Sequence, residues 1–148
     1  MIHTILVTDD NILDNAVLRN FLCNQKLNIV SAINGREALD LLESRNIDVI
    51  LLDLVMPVLD GFGFLNELSR TRYCSEIPVI VISSIYDDET VKKVMKYNIF
   101  DYLLKPIDEK NRFIFTNKIK KAIEYRVLLQ NLERAKAEIK KLKHLDSK

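Results

Sequence analysis

Short apolar runs alternate with amphipathic segments along most of the chain. Five runs rich in valine, isoleucine and leucine have the length and composition of parallel strands buried on both faces. They are residues 2–7, 28–32, 49–52, 79–82 and 101–104. Apolar positions at helical spacing predict four helices between these strands. They span about 12–26, 35–45, 61–72 and 87–97.

This alternation predicts an α/β fold with a parallel sheet, helices on both faces and right-handed crossovers. The flavodoxin-like (βα)5 arrangement fits it, as a doubly wound parallel sheet of strand order 2-1-3-4-5. In that order the first and third strands are neighbours at the topological switch point. Residues that come directly after these two strands therefore meet at one edge of the sheet.

Carboxylates occupy those positions. Asp9 and Asp10 come after the first strand, and Asp53 after the third. Two such charges about 4 Å apart repel by roughly 4 kcal/mol at an effective dielectric constant of about 20. A cation among them would remove this cost. The pattern therefore predicts a divalent metal site, and a metal at such an edge suggests phosphoryl chemistry.

Capping residues mark the predicted helix ends. Asn34 precedes the second helix, Asp60 can cap the third, and Asp87 or Asp88 the fourth. Asn98 tolerates a left-handed conformation, so the fourth helix is expected to end there.

The last segment, from about residue 111 to 145, contains no glycine or proline. A helix of this length extends about 50 Å, which is longer than the domain. Its first part has the spacing of a helix that packs on the sheet. Its second part carries apolar residues at alternating steps of three and four. They are Tyr125, Leu128, Leu132, Ala135, Ile139 and Leu142.

This seam favours a parallel coiled coil between two chains. It divides the chain into a domain of residues 1–123 and a helical extension of residues 124–148. An amphipathic helix that folds back on its own domain is the alternative.

Composition and charge restrict the function classes. No apolar stretch approaches 18 residues and no signal peptide is evident, so no membrane association is expected. Cys23 and Cys74 lack the spacing of metal ligands, which is typical of a reducing cytoplasm. Residues 1–107 have a net charge of −5 and residues 108–148 one of +6. The basic residues of the tail are interleaved with glutamates, so no direct contact with nucleic acid is expected.

The motifs together resemble the receiver domain of two-component response regulators. The resemblance covers about residues 1–123, with matching order and spacing. The motifs are Asp9-Asp10, Asp53-Leu-Val-Met-Pro57, Asp60-Gly61, Pro78-Val-Ile-Val-Ile-Ser83-Ser84 and Asp101-Tyr-Leu-Leu-Lys105-Pro106.

The resemblance implies that Asp53 accepts a phosphoryl group from a histidine kinase, a phosphotransfer protein or a small donor such as acetyl phosphate. It implies that Asp10 binds Mg²⁺ directly and Asp9 mainly through water. Asp53 and the backbone carbonyl of Val55 complete the protein ligands.

The same resemblance gives roles to residues around the acceptor. Lys105 and Ser83 would contact phosphoryl oxygens, and the Lys105–Pro106 bond is expected to be cis. Ser83 and Tyr102 would form the switch. The output face would comprise the fourth predicted helix, the fifth strand and the C-terminal helix. Because Val55 and Ile85 offer no hydrogen bond to an attacking water, we expect slow self-dephosphorylation.

The resemblance implies a signalling phosphoacceptor rather than an enzyme, and three alternatives remain open. The ending Leu142–Lys148 is similar to the segment before a GGDEF-type diguanylate cyclase domain, so the chain could regulate a larger enzyme. A receiver that is never phosphorylated could serve as a scaffold. A phosphatase of the haloacid dehalogenase type would instead need Asp-x-Asp after the first strand, where this chain has Asp9-Asp10-Asn11.

Overall fold

The computed structural model describes all 148 residues. Five strands and six helices alternate along the chain. In order they are β1 (His3–Thr8), α1 (Ile12–Leu22), β2 (Leu27–Ala32), α2 (Gly35–Ser44), β3 (Val49–Leu52), α3 (Gly61–Leu68), α4 (Tyr73–Glu76), β4 (Val79–Ser83), α5 (Asp88–Met95), β5 (Asp101–Leu104) and α6 (Arg112–Asp146).

The strands form one parallel sheet of order β2-β1-β3-β4-β5. The predicted fold class and strand order are confirmed, and each strand bound lies within one residue of its prediction. Ile5 of β1 is in register with Ile29 of β2 on one side and Val49 of β3 on the other. The carboxyl ends of β1 and β3 therefore lie side by side.

Side chains of the sheet point alternately into two apolar clusters. Leu6 faces a cluster completed by α2, α3 and α5, which contribute Ala38, Phe64 and Val94. Its neighbours Ile5 and Val7 face a cluster built with α1 and α6. Residues from those two helices are Leu18, Phe21, Leu22, Phe115, Ile119 and Ala122. Burial on both faces explains why the strands are apolar throughout.

The predicted helix caps are present. The side chains of Asn34, Asp60 and Asp87 accept hydrogen bonds from backbone N–H groups in the first turns of α2, α3 and α5. The third helix is shorter than predicted. It ends at Leu68, and the Ser69 hydroxyl donates to the Asn66 carbonyl at 2.6 Å. A hydroxyl that bonds the backbone competes with helix continuation, and the chain forms the short α4 instead.

Two other helix ends also differ from the predictions. Helix α1 ends at Leu22, because the Gln25 N–H bonds the Leu22 carbonyl and turns the chain toward β2. The expected left-handed end at Asn98 was wrong. Helix α5 ends at Met95, and the Asn98 amide donates to the Cys74 carbonyl at 2.8 Å.

Val58 is the one residue with positive φ, at 68°.

Helix α6 runs unbroken for 35 residues. Its buried positions end at Arg126, whose Nη1 donates to the Glu76 carbonyl at 2.6 Å. The same side chain places Nε 3.6 Å from Asp48 Oδ1. Beyond residue 130 every side chain is exposed, so the helix does not fold back on its own domain. None of the helices combines the length and the apolar character needed to cross a membrane.

Candidate functional site

The sheet brings the three predicted carboxylates together. Asp53 comes directly after β3, and its N–H donates to the carbonyl of Thr8, the last residue of β1, at 2.9 Å. One carboxylate oxygen from each of Asp9, Asp10 and Asp53 lies within 4.8 Å of the other two. Asp9 and Asp53 are buried and Asp10 is exposed. A cluster of this kind, with two members out of water, is a donor set suited to a hard divalent cation.

The electrostatics of Asp53 show that the positive charge beside the cluster does not balance its negative charge. Burial raises the pKa of Asp53 to about 6, and the negative charge of Asp9 adds to the effect. Lys105 and the backbone N–H groups of Val55 and Leu54 oppose the shift without cancelling it. A cation beside Asp53 would stabilise the ionised form. The observed geometry and charge of these residues therefore fit a bound Mg²⁺.

Lys105 supplies the one ammonium group of the site. Its Nζ lies 2.8 Å from Asp14 Oδ2, 3.0 Å from Asp9 Oδ2 and 3.5 Å from Asp53 Oδ2. Burial lowers the pKa of Lys105, but the hydrogen bonds to Asp14 and Asp9 and the charge of Asp53 outweigh it, so the pKa is raised. The lysine is thus charged at neutral pH. The backbone N–H of Lys105 donates to the Ser83 carbonyl at 2.9 Å, and the Lys105–Pro106 peptide bond is cis.

Ser83 and Tyr102 lie together at the next strand ends. Ser83 is fully buried at the end of β4, and its Oγ accepts from the Ile85 N–H at 3.1 Å. The Tyr102 hydroxyl donates to the Ile85 carbonyl. Burial raises the pKa of Tyr102, while a hydrogen bond with Ser83 opposes the rise. The tyrosine hydroxyl is therefore hydrogen-bonded to the loop that leads from Ser83 into α5.

Sequence reasoning missed one residue of the site. Asp14 lies in the first turn of α1 and makes the shortest of the three contacts with Lys105. Its position four residues after Asp10 places it at the same edge of the sheet, which was an available signal. Val55 lies in the loop after β3, with its N–H next to the Asp53 carboxylate, and the residue is 61% exposed.

Comparison with known proteins identifies the domain. The profile of the response regulator receiver domain matches residues 5–114. The chain belongs to this family. Receiver domains are signalling phosphoacceptors that typically bind Mg²⁺ in an acidic pocket. The relatives imply partnership with histidine kinases or phosphotransfer proteins.

Two curated relatives illustrate the range of contexts. The two-component response regulator ORR3 of Oryza sativa is 30% identical over 104 residues, which is 70% of this chain and 79% of the relative. The transcriptional regulatory protein ZraR of Escherichia coli O157:H7 is 34% identical over 107 residues. That match covers 72% of this chain but only 24% of ZraR.

Solved receiver structures share the fold. The signal receiver domain of an HD domain-containing protein from Pseudomonas fluorescens Pf-5 superposes with a TM-score of 0.78. It is 22% identical, and the match covers 87% of this chain and 92% of that one. At this identity the likeness shows the fold alone.

Proposed function

We propose that this receiver domain accepts a phosphoryl group on Asp53 in a Mg²⁺-dependent reaction. The donor would be a histidine kinase, a phosphotransfer protein or a small acyl phosphate. One observation carries the proposal: Asp9, Asp10 and Asp53 converge within 4.8 Å beside the ammonium group of Lys105. A carboxylate that is largely buried and flanked by a lysine is suited to act as a nucleophile on phosphorus.

The metal ligands would come from the loops after β1 and β3. Asp10, Asp53 and the Val55 backbone carbonyl would hold Mg²⁺ directly, and Asp9 mainly through water. When bound, Mg²⁺ supplies positive charge to the phosphoryl oxygens and to the acceptor. The exposure of Asp10 leaves one side of the cluster open to a donor.

The chain's own residues perform the transfer. An ionised Asp53 oxygen attacks phosphorus in line, and the bond from phosphorus to the donor nitrogen or oxygen breaks with its electron pair. An acyl phosphate forms on Asp53. Lys105 would leave part of its carboxylate contacts to pair with one phosphoryl oxygen, and the Ser83 hydroxyl would donate to another.

The new charge would then alter the output face. The acyl phosphate carries about −1.5 to −2 charges, where the ionised carboxylate of Asp53 carried one negative charge. Ser83 Oγ, which now accepts from Ile85, would turn toward the phosphoryl group. Because the Tyr102 hydroxyl donates to the carbonyl of Ile85, two residues after Ser83, it would respond to that movement. The affected surface comprises α5, β5 and α6, the helix that continues into the tail.

The tail would carry the signal by pairing with a second copy. Four apolar seam residues outside the domain are each more than half exposed: Leu128 by 66%, Leu132 by 51%, Ile139 by 53% and Leu142 by 57%. Nothing within the chain covers them. Their spacing of three and four residues is the pattern of a two-stranded coiled coil. We place residues 124–148 in this extension and residues 1–123 in the receiver.

Charges beside the seam favour parallel helices. With Leu132 and Ile139 at a positions, Glu138 occupies a g position and Lys143 an e position. In a parallel, in-register pair, Glu138 of each chain faces Lys143 of the other. An antiparallel pair would bring lysines at e positions, Lys136 and Lys143, toward one another. Parallel pairing therefore satisfies both the seam and the flanking charge.

Phosphate uptake tests the acceptor. The chain is incubated with acetyl phosphate and Mg²⁺, and intact mass is measured by mass spectrometry. We expect a gain of one phosphoryl group that is lost in Asp53→Asn and in the presence of a chelator. Asp60→Asn is the matched control, because Asp60 lies in the same loop and asparagine also caps a helix. No uptake by the unmodified chain would favour the scaffold alternative.

Solution mass tests the dimer. Light scattering is performed with and without Mg²⁺ and beryllofluoride, an analogue of the phosphoryl group. A monomer that becomes a dimer would show that the acceptor controls association. A Leu132→Lys variant should remain monomeric in both conditions, because a buried lysine at an a position is costly. Unchanged association in this variant would place the dimer interface elsewhere.

A further inference from the structure

Asp14 has no role in the chemistry described so far, yet it holds the lysine of the site. Its carboxylate oxygen is 2.8 Å from Lys105 Nζ, closer than the oxygens of Asp9 and Asp53. The Lys105 side chain is only 14% exposed and that of Asp14 is 21% exposed. The pair is therefore partly shielded from water, and solvent screens it less than a surface ion pair.

The position of Asp14 keeps the contact in place. Its N–H donates to the Asn11 side chain at 3.1 Å, the bond that caps α1. The carboxylate thus projects from the first, capped turn of a helix that packs against the core through Leu18 and Phe21. The cap fixes the backbone of Asp14 beside Lys105, so the carboxylate can leave only by rotation of its own short side chain. The lysine side chain has more rotatable bonds, so the ammonium group has the longer reach.

Three carboxylates share this one ammonium group. The contact with Asp53 is the longest of the three, at 3.5 Å. A phosphoryl group on Asp53 would need the same ammonium group, so Asp14 and the phosphoryl oxygens compete for it. Asp14 also adds a negative charge near a pocket that must receive an anion.

We propose that Asp14 is a positioning residue that restrains Lys105 toward α1 and thereby weakens anion binding at Asp53. This inference rests on the proposed function of Asp53 and adds a residue that sets its occupancy. Neutralising Asp14 frees Lys105 for the phosphoryl oxygens. The resulting gain corresponds to the loss of one partly shielded ion pair, about fivefold in affinity.

Beryllofluoride titration at fixed, saturating Mg²⁺ tests the proposal by calorimetry, a binding readout that needs no turnover. The chains compared are the unmodified protein, Asp14→Asn and Asp14→Glu. The Lys105→Gln substitution is also introduced into each of these three chains. Glu133→Gln is the matched control, because it neutralises an ion pair with Lys136 on the distant tail.

We expect Asp14→Asn to bind beryllofluoride about fivefold more tightly. Asp14→Glu keeps the charge and should stay within about twofold of the unmodified chain, as should Glu133→Gln. With Lys105→Gln, the effect of Asp14→Asn should shrink below about twofold, because there is no ammonium group to release.

Two results would overturn the inference. One is unchanged or weaker binding by Asp14→Asn while the unmodified chain binds normally. The other is a fivefold effect that persists with Lys105→Gln, which would mean that Asp14 acts by its charge alone. If the unmodified chain itself binds no beryllofluoride, this result would contradict the proposed function of Asp53 and therefore also the role proposed for Asp14.

Discussion

Arg126 should be a principal anchor of the long helix, and its removal should destabilise the domain measurably. The guanidinium donates to the Glu76 carbonyl at 2.6 Å and lies 3.6 Å from the Asp48 carboxylate. Both charged side chains are about 90% buried, with 10% of Arg126 and 9% of Asp48 exposed. Substitution of Arg126 by methionine preserves most of the aliphatic stem and removes the charge.

The size of the effect depends on the contacts that remain. The Glu76 carbonyl loses its donor, at a cost of about 1 kcal/mol. Asp48 keeps the Thr4 N–H at 2.8 Å and has His3 Nδ1 at 3.5 Å, so it is not wholly unpartnered. Its added cost is therefore about 1–2 kcal/mol, below the roughly 3–5 kcal/mol of a fully orphaned charge. The total of about 2–3 kcal/mol should lower Tm by roughly 5–10 °C.

Urea unfolding followed by circular dichroism measures this change. Arg134→Met is the control, since Arg134 lies on the exposed part of the same helix and should change stability by less than about 0.5 kcal/mol. Asp48→Asn should reduce the cost of Arg126→Met, because the amide needs no counter-charge. Two results would refute the contact between Arg126 and Asp48. One is that the losses of stability from Arg126→Met and Asp48→Asn are strictly additive in the double variant. The other is that Arg126→Met and Arg134→Met have the same urea midpoint.

Three further outcomes depend on single residues or pairs. Val58 adopts φ 68°, which is strained for a β-branched residue. Val58→Gly should therefore raise the free energy of unfolding, measured by urea titration, by about 0.5–1 kcal/mol. A lower urea midpoint for Val58→Gly would argue against strain at this residue. Because the pKa of Asp53 is raised to about 6 in the folded chain, the contribution of Asp53 to stability without metal should be greatest below about pH 4 and should be lost as pH rises through about 6. Asp53→Asn should therefore have a free energy of unfolding about 1–3 kcal/mol higher than the unmodified chain at pH 7 in a chelator. Added Mg²⁺ should reduce this difference between the two chains. Equal urea midpoints of the two chains in the chelator would contradict the burial argument. Replacing Val55 with Asn and Ile85 with Glu should shorten the lifetime of the acyl phosphate, measured as loss of the phosphoryl mass, since both new side chains can hydrogen-bond an attacking water; unchanged decay would show that these positions do not control water access.

Local pattern was enough to predict the strands and the carboxylates that follow them, because runs of buried residues and the side chains after each strand are contiguous in the chain. The strand order and the meeting of Asp9, Asp10 and Asp53 came from the flavodoxin-like arrangement that the alternation of strands and helices fits. The caps at Asn34, Asp60 and Asp87 are equally local. Helix ends were less predictable, because hydroxyl bonds such as that of Ser69 compete with helix continuation over a few residues.

Only the tertiary structure decided which distant side chains share a partner. The contact of Asp14 with Lys105 depends on how the first turn of α1 docks beside the loop after β5. Arg126 reaches Asp48 because α6 crosses the sheet and leaves it at the amino-terminal edge of β3. Neither contact has a periodic signature, since each joins elements whose relative placement comes from core packing. The sequence thus determined the strands, the helices and the carboxylates that follow β1 and β3. The packing of the elements determined which carboxylates Lys105 and Arg126 contact.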